Sequence, residues 1–419
     1  MKRSTNTDVL VIGGGAIGVC SAYYLNQAGR SVTLIERGDI CSGSSYGNAG
    51  LIVPSHSIPL AAPGVIAKGL KWMLNPESPF YIKLRFDRQL ISWLWKFRKA
   101  CSETQMRRAI PVIRELNFAS LRLYDELAGI EDLDFGYEKR GMAIIFRTEK
   151  GFQDGIKEAR LMEKNGIEIR VLKEQDVNDM ANIETSAVGG VYYPQDAHIN
   201  PHRYVQGLAD YAAEKGVKVH TSTEVLGFES SGGKVNSVKT TKGDFSAEEI
   251  VLAGGTWSGE IGKELGIKLL IQPAKGYSGT FKKTAECPDV PFGLAESKVI
   301  LTPMGDTMRI AGTLELAGLD QSVNMRRLNA VLKSIPAYFP DIDLDALELI
   351  EIWRGLRPCT PDGLPYLGRP KNFDNLTIAA GHAMIGMSLS PITGKLVSQI
   401  VTGEKPQIDL NLLRIERFA

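Results

Sequence analysis

Two kinds of hydrophobic pattern alternate along this chain. Val9-Leu10-Val11-Ile12 and Val32-Thr33-Leu34-Ile35 are short apolar runs of strand type, and 17–28 between them reads as a helix. Residues 60–130 read as helices, broken at Pro63-Gly64 and Asn75-Pro76. An apolar strand at 141–148 and a helix at 151–165, closed by Gly166, come next. A helix at 202–215, closed by Gly216, leads into a strand at 217–221. Turns at 231–233 and 242–243 divide a meander of three short strands that runs into 249–255. Residues 267–315 look like antiparallel strands and 325–338 like one helix. The tail holds an apolar stretch at 347–353, a loop to Gly368, a strand at 376–380 and a last helix from about 390. No internal repeat or low-complexity tract interrupts this order.

The first forty residues add chemistry to the pattern. The turn between the first strand and the first helix is Gly13-Gly14-Gly15-Ala16-Ile17-Gly18, a G-x-G-x-x-G fingerprint in strand–turn–helix–strand context. Gly13 permits the tight turn, Gly15 lets backbone approach a pyrophosphate, and Gly18 allows close packing of helix on sheet. Unpaired amides at the helix start, around Ala16 and Ile17, favour phosphate. Glu36-Arg37 closes the second strand, where Glu36 can accept hydrogen bonds from a ribose diol. Dinucleotide signals recur at both ends and in the middle. The expected fold is therefore α/β, with a Rossmann-type domain built from 1–60, 196–266 and 350–419. A second, mixed-sheet α+β substrate domain is expected from 61–195 and 267–349, the segments being interleaved.

Composition narrows the function classes. The chain has 419 residues, enough for two or three domains; it is 43% hydrophobic and 23% charged, with a net charge of +1. That balance argues against nucleic acid as a partner. Five scattered cysteines without C-x-x-C spacing look like thiols of a reducing compartment rather than disulfides or a zinc site. Lys2-Arg3 ahead of an apolar run imitates a secretory signal, but that run is the first strand of the dinucleotide unit. No segment reaches roughly 18 uninterrupted apolar residues, so a cytoplasmic location is expected.

Three further segments distinguish the flavin from the nicotinamide dinucleotide. In Ser44-Ser45-Tyr46-Gly47-Asn48-Ala49-Gly50, small residues can lie against a flat ring and hydroxyls can reach phosphate. Ile250-Val251-Leu252-Ala253-Gly254-Gly255-Thr256-Trp257-Ser258 is a strand entering a small-residue turn. The third is Trp353-Arg354-Gly355-Leu356-Arg357-Pro358-Cys359-Thr360-Pro361-Asp362-Gly363, followed by Ala380-Gly381-His382 and Gly386-Met387. The order and content of these segments resemble the D-amino acid oxidase family of flavoproteins, which includes glycine and sarcosine oxidases. Within it the chain most resembles the bacterial D-amino acid dehydrogenases that reduce quinones, through Asn48-Ala49-Gly50, Ala61-Ala62-Pro63-Gly64, Leu70-Lys71-Trp72-Met73, Lys275-Gly276-Tyr277-Ser278 and Gly355-Leu356-Arg357-Pro358.

The resemblance implies FAD as cofactor, with contacts from Arg37, Val225, Ala253, Gly254, Trp257, Arg357, Gly386 and Met387 besides the glycine turn, Glu36, Ser44, Ser45 and 48–50. It also implies that the last helix points its positive end at the flavin pyrimidine ring. Ser390 is read as the N-cap of that helix and Pro391 as its first residue. The arginine of the Gly-Leu-Arg-Pro motif, Arg357, is expected to fork the substrate α-carboxylate, the alternative being an ion pair with Asp362. Tyr277 is a second candidate, as carboxylate donor or pocket cap. Arg309 is read as structural, His56 as a surface polar residue, and His382 as fixing backbone rather than transferring protons. His198 and His202 have the spacing of a helical metal pair, but Pro201 between them reads as a helix start, and no metal is expected. Sarcosine oxidases of the family attach FAD through a nearby cysteine. Cys359 has a different spacing, so non-covalent FAD is expected.

Residues 68–108 carry ten Lys/Arg against three Asp/Glu, with Trp72, Trp93 and Trp95 among them. This segment is expected either to contact anionic lipid and quinone at the membrane surface or to be a helix pair with tryptophans in its core. The function implied is FAD-dependent oxidative deamination of a D-amino acid, with electrons leaving to a quinone or another acceptor. The alternatives are an oxygen-using oxidase of glycine, sarcosine or a cyclic amino acid such as hydroxy-D-proline, and a flavin-binding electron-relay subunit.

Overall fold

Three parallel strands, Thr5–Ile12, Val32–Ile35 and Gly243–Leu252, form the heart of the molecule in the computed structural model, which describes residues 5–418 except 74, 76 and 84. Lys2, Arg3 and Pro76 lie outside the described residues. Ile12 is level with both Ile35 and Leu252, so the three strands end together. Gly13, Glu36 and Ala253 therefore leave the sheet at one edge, where ligands of open parallel sheets bind. The sheet continues through the meander Val225–Ser231 and Lys234–Thr240 on one side and Lys218–His220 on the other, and Leu376–Ala380 pairs in parallel with Gly243–Leu252. Both faces of the first strand are covered. Val9 and Val11 join a core with the helices Ala16–Gln27, Pro201–Glu214 and Ser390–Thr402, while Leu10 and Ile12 join another with Val235, Phe245 and Leu376. This is why the run is apolar without alternation.

The helix Glu103–Ala128 is expected from the sequence to belong to the second domain, yet it packs into the first core. Its stripe of Ala109, Ile113, Leu116, Leu123 and Leu127, spaced three, four and seven apart, is buried beside Val9 and Leu396. Its N-cap is Ser102, whose hydroxyl accepts from the amide of Gln105 at 3.2 Å.

Among the described residues a second, mixed sheet holds nine strands, in which Leu349–Cys359, Gln272–Lys282, Thr307–Leu316 and Val299–Met304 are neighbours in that order. Two sequence expectations differ here. The apolar stretch read at 347–353 and the start of the loop read after it, assigned from 350 on to the first domain, are one eleven-residue edge strand, Leu349–Cys359. It pairs antiparallel with Gln272–Lys282 from Gln272–Cys359 to Phe281–Leu349. Gly355 and Pro358 disguised it; proline is tolerated because the strand lies at the edge and Pro358 faces Pro273. The helix expected at 325–338 is two, Met325–Leu332 and Ser334–Tyr338, because the ring of Pro336 obstructs the carbonyl four residues back. Among the described residues no helix is long and apolar enough to cross a membrane.

Candidate cofactor cleft and active site

The shared edge of the parallel strands opens into a cleft of about 730 Å³, within the ~300–1,000 Å³ of ligand and cofactor pockets. Its floor is the glycine turn. Gly13 has φ +117°, and a side chain there would stand 2.5 Å from the carbonyl oxygen of Ala253. A Cβ on Gly18 would lie 1.8 Å from the carbonyl oxygen of Gly13, so the helix can approach this closely only without one. Gly15, by contrast, faces open space apart from Ser45 Oγ at 3.2 Å. Ser45 Oγ accepts from the Ala16 amide at 3.0 Å. Glu36 braces the turn from behind: its carboxylate accepts from the amides of Gly14 at 2.7 Å and Gly38 at 2.8 Å. Each oxygen keeps a further lone pair. A backbone cradle, a helix N-terminus and an acid at the end of the second strand fit an adenine dinucleotide.

The walls come from the other predicted segments. Arg37, Val225, Ala253, Gly254 and Trp257 line one end, with the Arg37 guanidinium stacked 3.7 Å from the centre of the Trp257 indole. Ser44, Ser45 and Asn48 line another part. Asn48 folds this loop on itself, donating to the carbonyls of Ser44 and Ser45 and accepting from Gly50 N at 2.8 Å. Arg309 ties the loop to the second sheet: it donates to the carbonyls of Tyr46 and Asn48, to Thr280 Oγ1 at 3.0 Å, and pairs with Glu351 at 3.4 Å. Trp353 wedges between Gly47 and Gly355, where any Cβ would meet its indole at 2.3 and 2.0 Å. Gly386 and Met387 also line the cleft. Gly18, Ala49, Gly50 and Tyr277 are outside the lining. Gly50, at φ +66°, packs against the carbonyl of Ile199.

Arg357 reaches the cleft from the edge strand. Its Nη1 donates to the carbonyl of Thr313 at 2.8 Å, and among the described residues it has no carboxylate partner. Asp362, the alternative partner, is instead held by Arg417 at 2.9 and 3.1 Å. Loss of water lowers the Arg357 pKa, opposed by the nearby Cys359. A guanidinium in a cleft with one neutral acceptor and its other donors unused is a receptor for an anion.

Several expectations are corrected. Tyr277 is not at the cleft: Arg357 faces Ala274 across the strands, and alternation turns Tyr277 to the other face. There its hydroxyl donates to Glu315 at 2.7 Å, and burial, with Glu315, raises its pKa. His56 is half-buried rather than a surface residue; its Nδ1 is hydrogen-bonded to Ser55 Oγ at 2.9 Å, and burial, then Lys298, lowers its pKa to about 4. Ser390 is the first helical residue, not the N-cap, which is Leu389. The Ser390 hydroxyl donates to the carbonyl of Met387 at 3.0 Å, as does that of Tyr124 at 2.6 Å, and these bonds hold the loop before the helix. Trp93 is a core residue, stacked on Phe97 and donating to the carbonyl of Cys359.

Other side chains sit as their chemistry suggests. His382 lines the cleft, bonded to Thr393 Oγ1 at 3.0 Å, with burial taking its pKa to about 3; it is neutral. Burial pushes the Cys359 thiol up to about 12, so it is no thiolate nucleophile. His198 lies on a strand and His202 on the helix that starts at Pro201, and among the described residues no His/Cys/Asp/Glu group is arranged for a metal. Sequence reasoning missed Gln321 and Arg354 in the lining, and the Thr313 carbonyl. Arg354 sits in a quoted motif but was given no role, no motif marks Gln321, and the direction of the Thr313 carbonyl is set by backbone geometry.

Comparison with known proteins agrees with this geometry. Residues 8–400 match the model of the DAO family, described as FAD dependent oxidoreductase. D-amino acid dehydrogenase of Granulibacter bethesdensis is 32% identical, covering 98% of this chain and 99% of the relative. That of Vibrio atlanticus is also 32% identical, covering 98% and 100%. Glycine oxidase from Geobacillus kaustophilus superposes with a TM-score of 0.80 at 24% identity, over 99% of each chain. A glycine cradle ending three parallel strands, a cleft of dinucleotide size and a match over nearly the whole length lead to one assignment: the chain belongs to the DAO family of FAD-dependent oxidoreductases.

Proposed function

We propose that this enzyme oxidatively deaminates a D-amino acid to a 2-oxo acid and ammonia. The carrying observation is Arg357, a cation inside the cleft whose fork has no carboxylate of its own among the described residues. Near-full-length relatives named D-amino acid dehydrogenase support the substrate class. FAD, held there without a covalent bond, would supply the hydride acceptor, with a quinone or another compound as the final electron acceptor. Arg357 anchors the α-carboxylate and so presents Cα–H in one orientation, which lowers the barrier by positioning. The substrate amine, deprotonated, drives hydride loss, and water hydrolyses the resulting imine. No side chain has to remove the Cα proton, in keeping with a neutral His382 in the cleft lining. We assign the first sheet and its helices, including 103–128, to the cofactor and the second sheet to the substrate. The acceptor side rests on the segment 68–108, where Leu70, Phe86, Ile91 and Trp95 are exposed among cationic residues, suited to a membrane surface of anionic lipid.

An anaerobic absorbance scan with a panel of D- and L-amino acids tests this reading. Bleaching of the flavin band by D-amino acids alone supports it. Bleaching only by L-, N-methyl or cyclic substrates, or by none, rejects it. Hydrogen peroxide formed in step with turnover in air replaces the dehydrogenase by an oxidase.

A further inference from the structure

We propose that Gly276 and the carbonyl of Thr313 form a seat that holds the Arg357 guanidinium in one orientation, making both positions positioning residues for the substrate carboxylate. The inference rests on the reading of Arg357 given above and adds what sets its direction. Three features meet at this point. First, a Cβ on Gly276 would stand 2.1 Å from Nη1, 2.4 Å from Nη2 and 2.5 Å from Cζ of Arg357, so the guanidinium lies against the glycine where any other residue has a side chain. Second, Thr313 accepts from Nη1 at 2.8 Å, closing one edge of the fork. Third, the strand pairing is irregular here: Lys275 faces Glu315 and Tyr277 faces Gly312, so Gly276 alone stands opposite Thr313 and Leu314. This is a β-bulge, the device by which strands redirect their groups beside active sites.

The bulge is strained. Thr313 has φ +68°, within the strand Thr307–Leu316. A β-branched residue rarely adopts that conformation, and strain of this kind persists where the surroundings impose it. In this seat one face of the fork is covered by the Gly276 backbone and one edge by the Thr313 carbonyl. The remaining donors are left for a carboxylate arriving from the cleft, and a carboxylate bound by a fixed fork fixes the substrate Cα.

The test uses the FAD-loaded enzyme and Gly276→Ala. The atoms that the new methyl group meets are the end of a flexible side chain, so the fold can absorb the change while the guanidinium is displaced. Expected is a rise of about tenfold or more in the amino acid KM and in the Kd of acetate, read from the flavin absorption band, with unchanged FAD affinity and melting temperature. In an Arg357→Ala background the same substitution is expected to change the acetate Kd less than about twofold, since its effect runs through the arginine. In that background the three atoms nearest the new methyl group are gone. There, added ethylguanidinium is expected to restore acetate binding while Gly276 is retained and to fail once Gly276→Ala is added. An unchanged acetate Kd in Gly276→Ala, equal losses in both backgrounds, or equal rescue would each overturn the seat. If Arg357→Ala itself leaves KM and acetate binding unchanged, the fault lies with the reading of Arg357 instead.

Discussion

Removing the Arg357 guanidinium takes away a cleft cation that has no carboxylate partner among the described residues. Arg357→Ala is expected to cost roughly 2–5 kcal/mol of substrate binding, as for truncation of one partner in a buried charge pair. Steady-state kinetics check it: KM should rise steeply while FAD content stays constant, and near-normal kinetics would remove Arg357 from the site. This residue was legible in the sequence because the motif around it marks its place. The facing of Tyr277 was not, because strand parity decides which face a side chain takes and parity needs the register of the partner. The Thr313 carbonyl was invisible for a simpler reason: every residue has one, and only the bulge gives this one its target.

Elements were legible wherever local rules acted alone. The first helix, the helix at Pro201–Glu214 and the two turns of the meander lie within a residue or two of expectation, whereas the first strand begins at Thr5, four residues ahead of its apolar run. The edge strand Leu349–Cys359 was lost because its glycine and proline serve Trp353 packing and an edge position, not a loop. The basic segment divides similarly. Trp93 turns inward on the helix Arg88–Ala100, while Trp95 and Ile91 remain about half exposed and Phe86 is 92% exposed. Vesicles containing phosphatidylglycerol are expected to co-sediment with the protein at low salt and release it at high salt. The double variant Phe86→Ser, Trp95→Ser should weaken this binding with catalysis of soluble dyes intact. Equal binding to neutral vesicles would discard the membrane proposal.

At the scale of the whole molecule, buried titratable groups set the pH response. His56, His198 and His382 have pKa values of about 4, 4 and 3 against an ordinary 6.5, burial being the leading cause in each. The unfolded chain therefore takes up protons below pH 6.5 that the folded protein refuses, and stability falls as pH drops from 6.5 towards 4. Asp196 acts in the opposite sense. Burial, partly offset by hydrogen bonds from Ser55, raises it from 3.8 to about 7, so its contribution declines as pH rises from about 4 to 7. Three histidines outweigh one aspartate, and the melting temperature is expected to peak near pH 6.5. Asp196→Asn should remove the decline above the peak; melting curves measured from about pH 4 to 8 decide it. None of this was readable beforehand, since burial of these side chains depends on segments far apart in the chain.

The strand Thr5–Ile12 is made long before one of its two parallel neighbours, Gly243–Leu252. At the usual rate of about 5–20 residues per second the ribosome needs roughly 10–50 s to make the intervening chain. For that time Val9-Leu10-Val11-Ile12 has one unpaired edge, and Leu376–Ala380 arrives later still. An apolar strand waiting with an open edge is a site for misassociation. The price of gathering a cofactor cleft from distant stretches of sequence is that it closes only once Leu376–Ala380 has been made, so FAD cannot serve as an early template for folding.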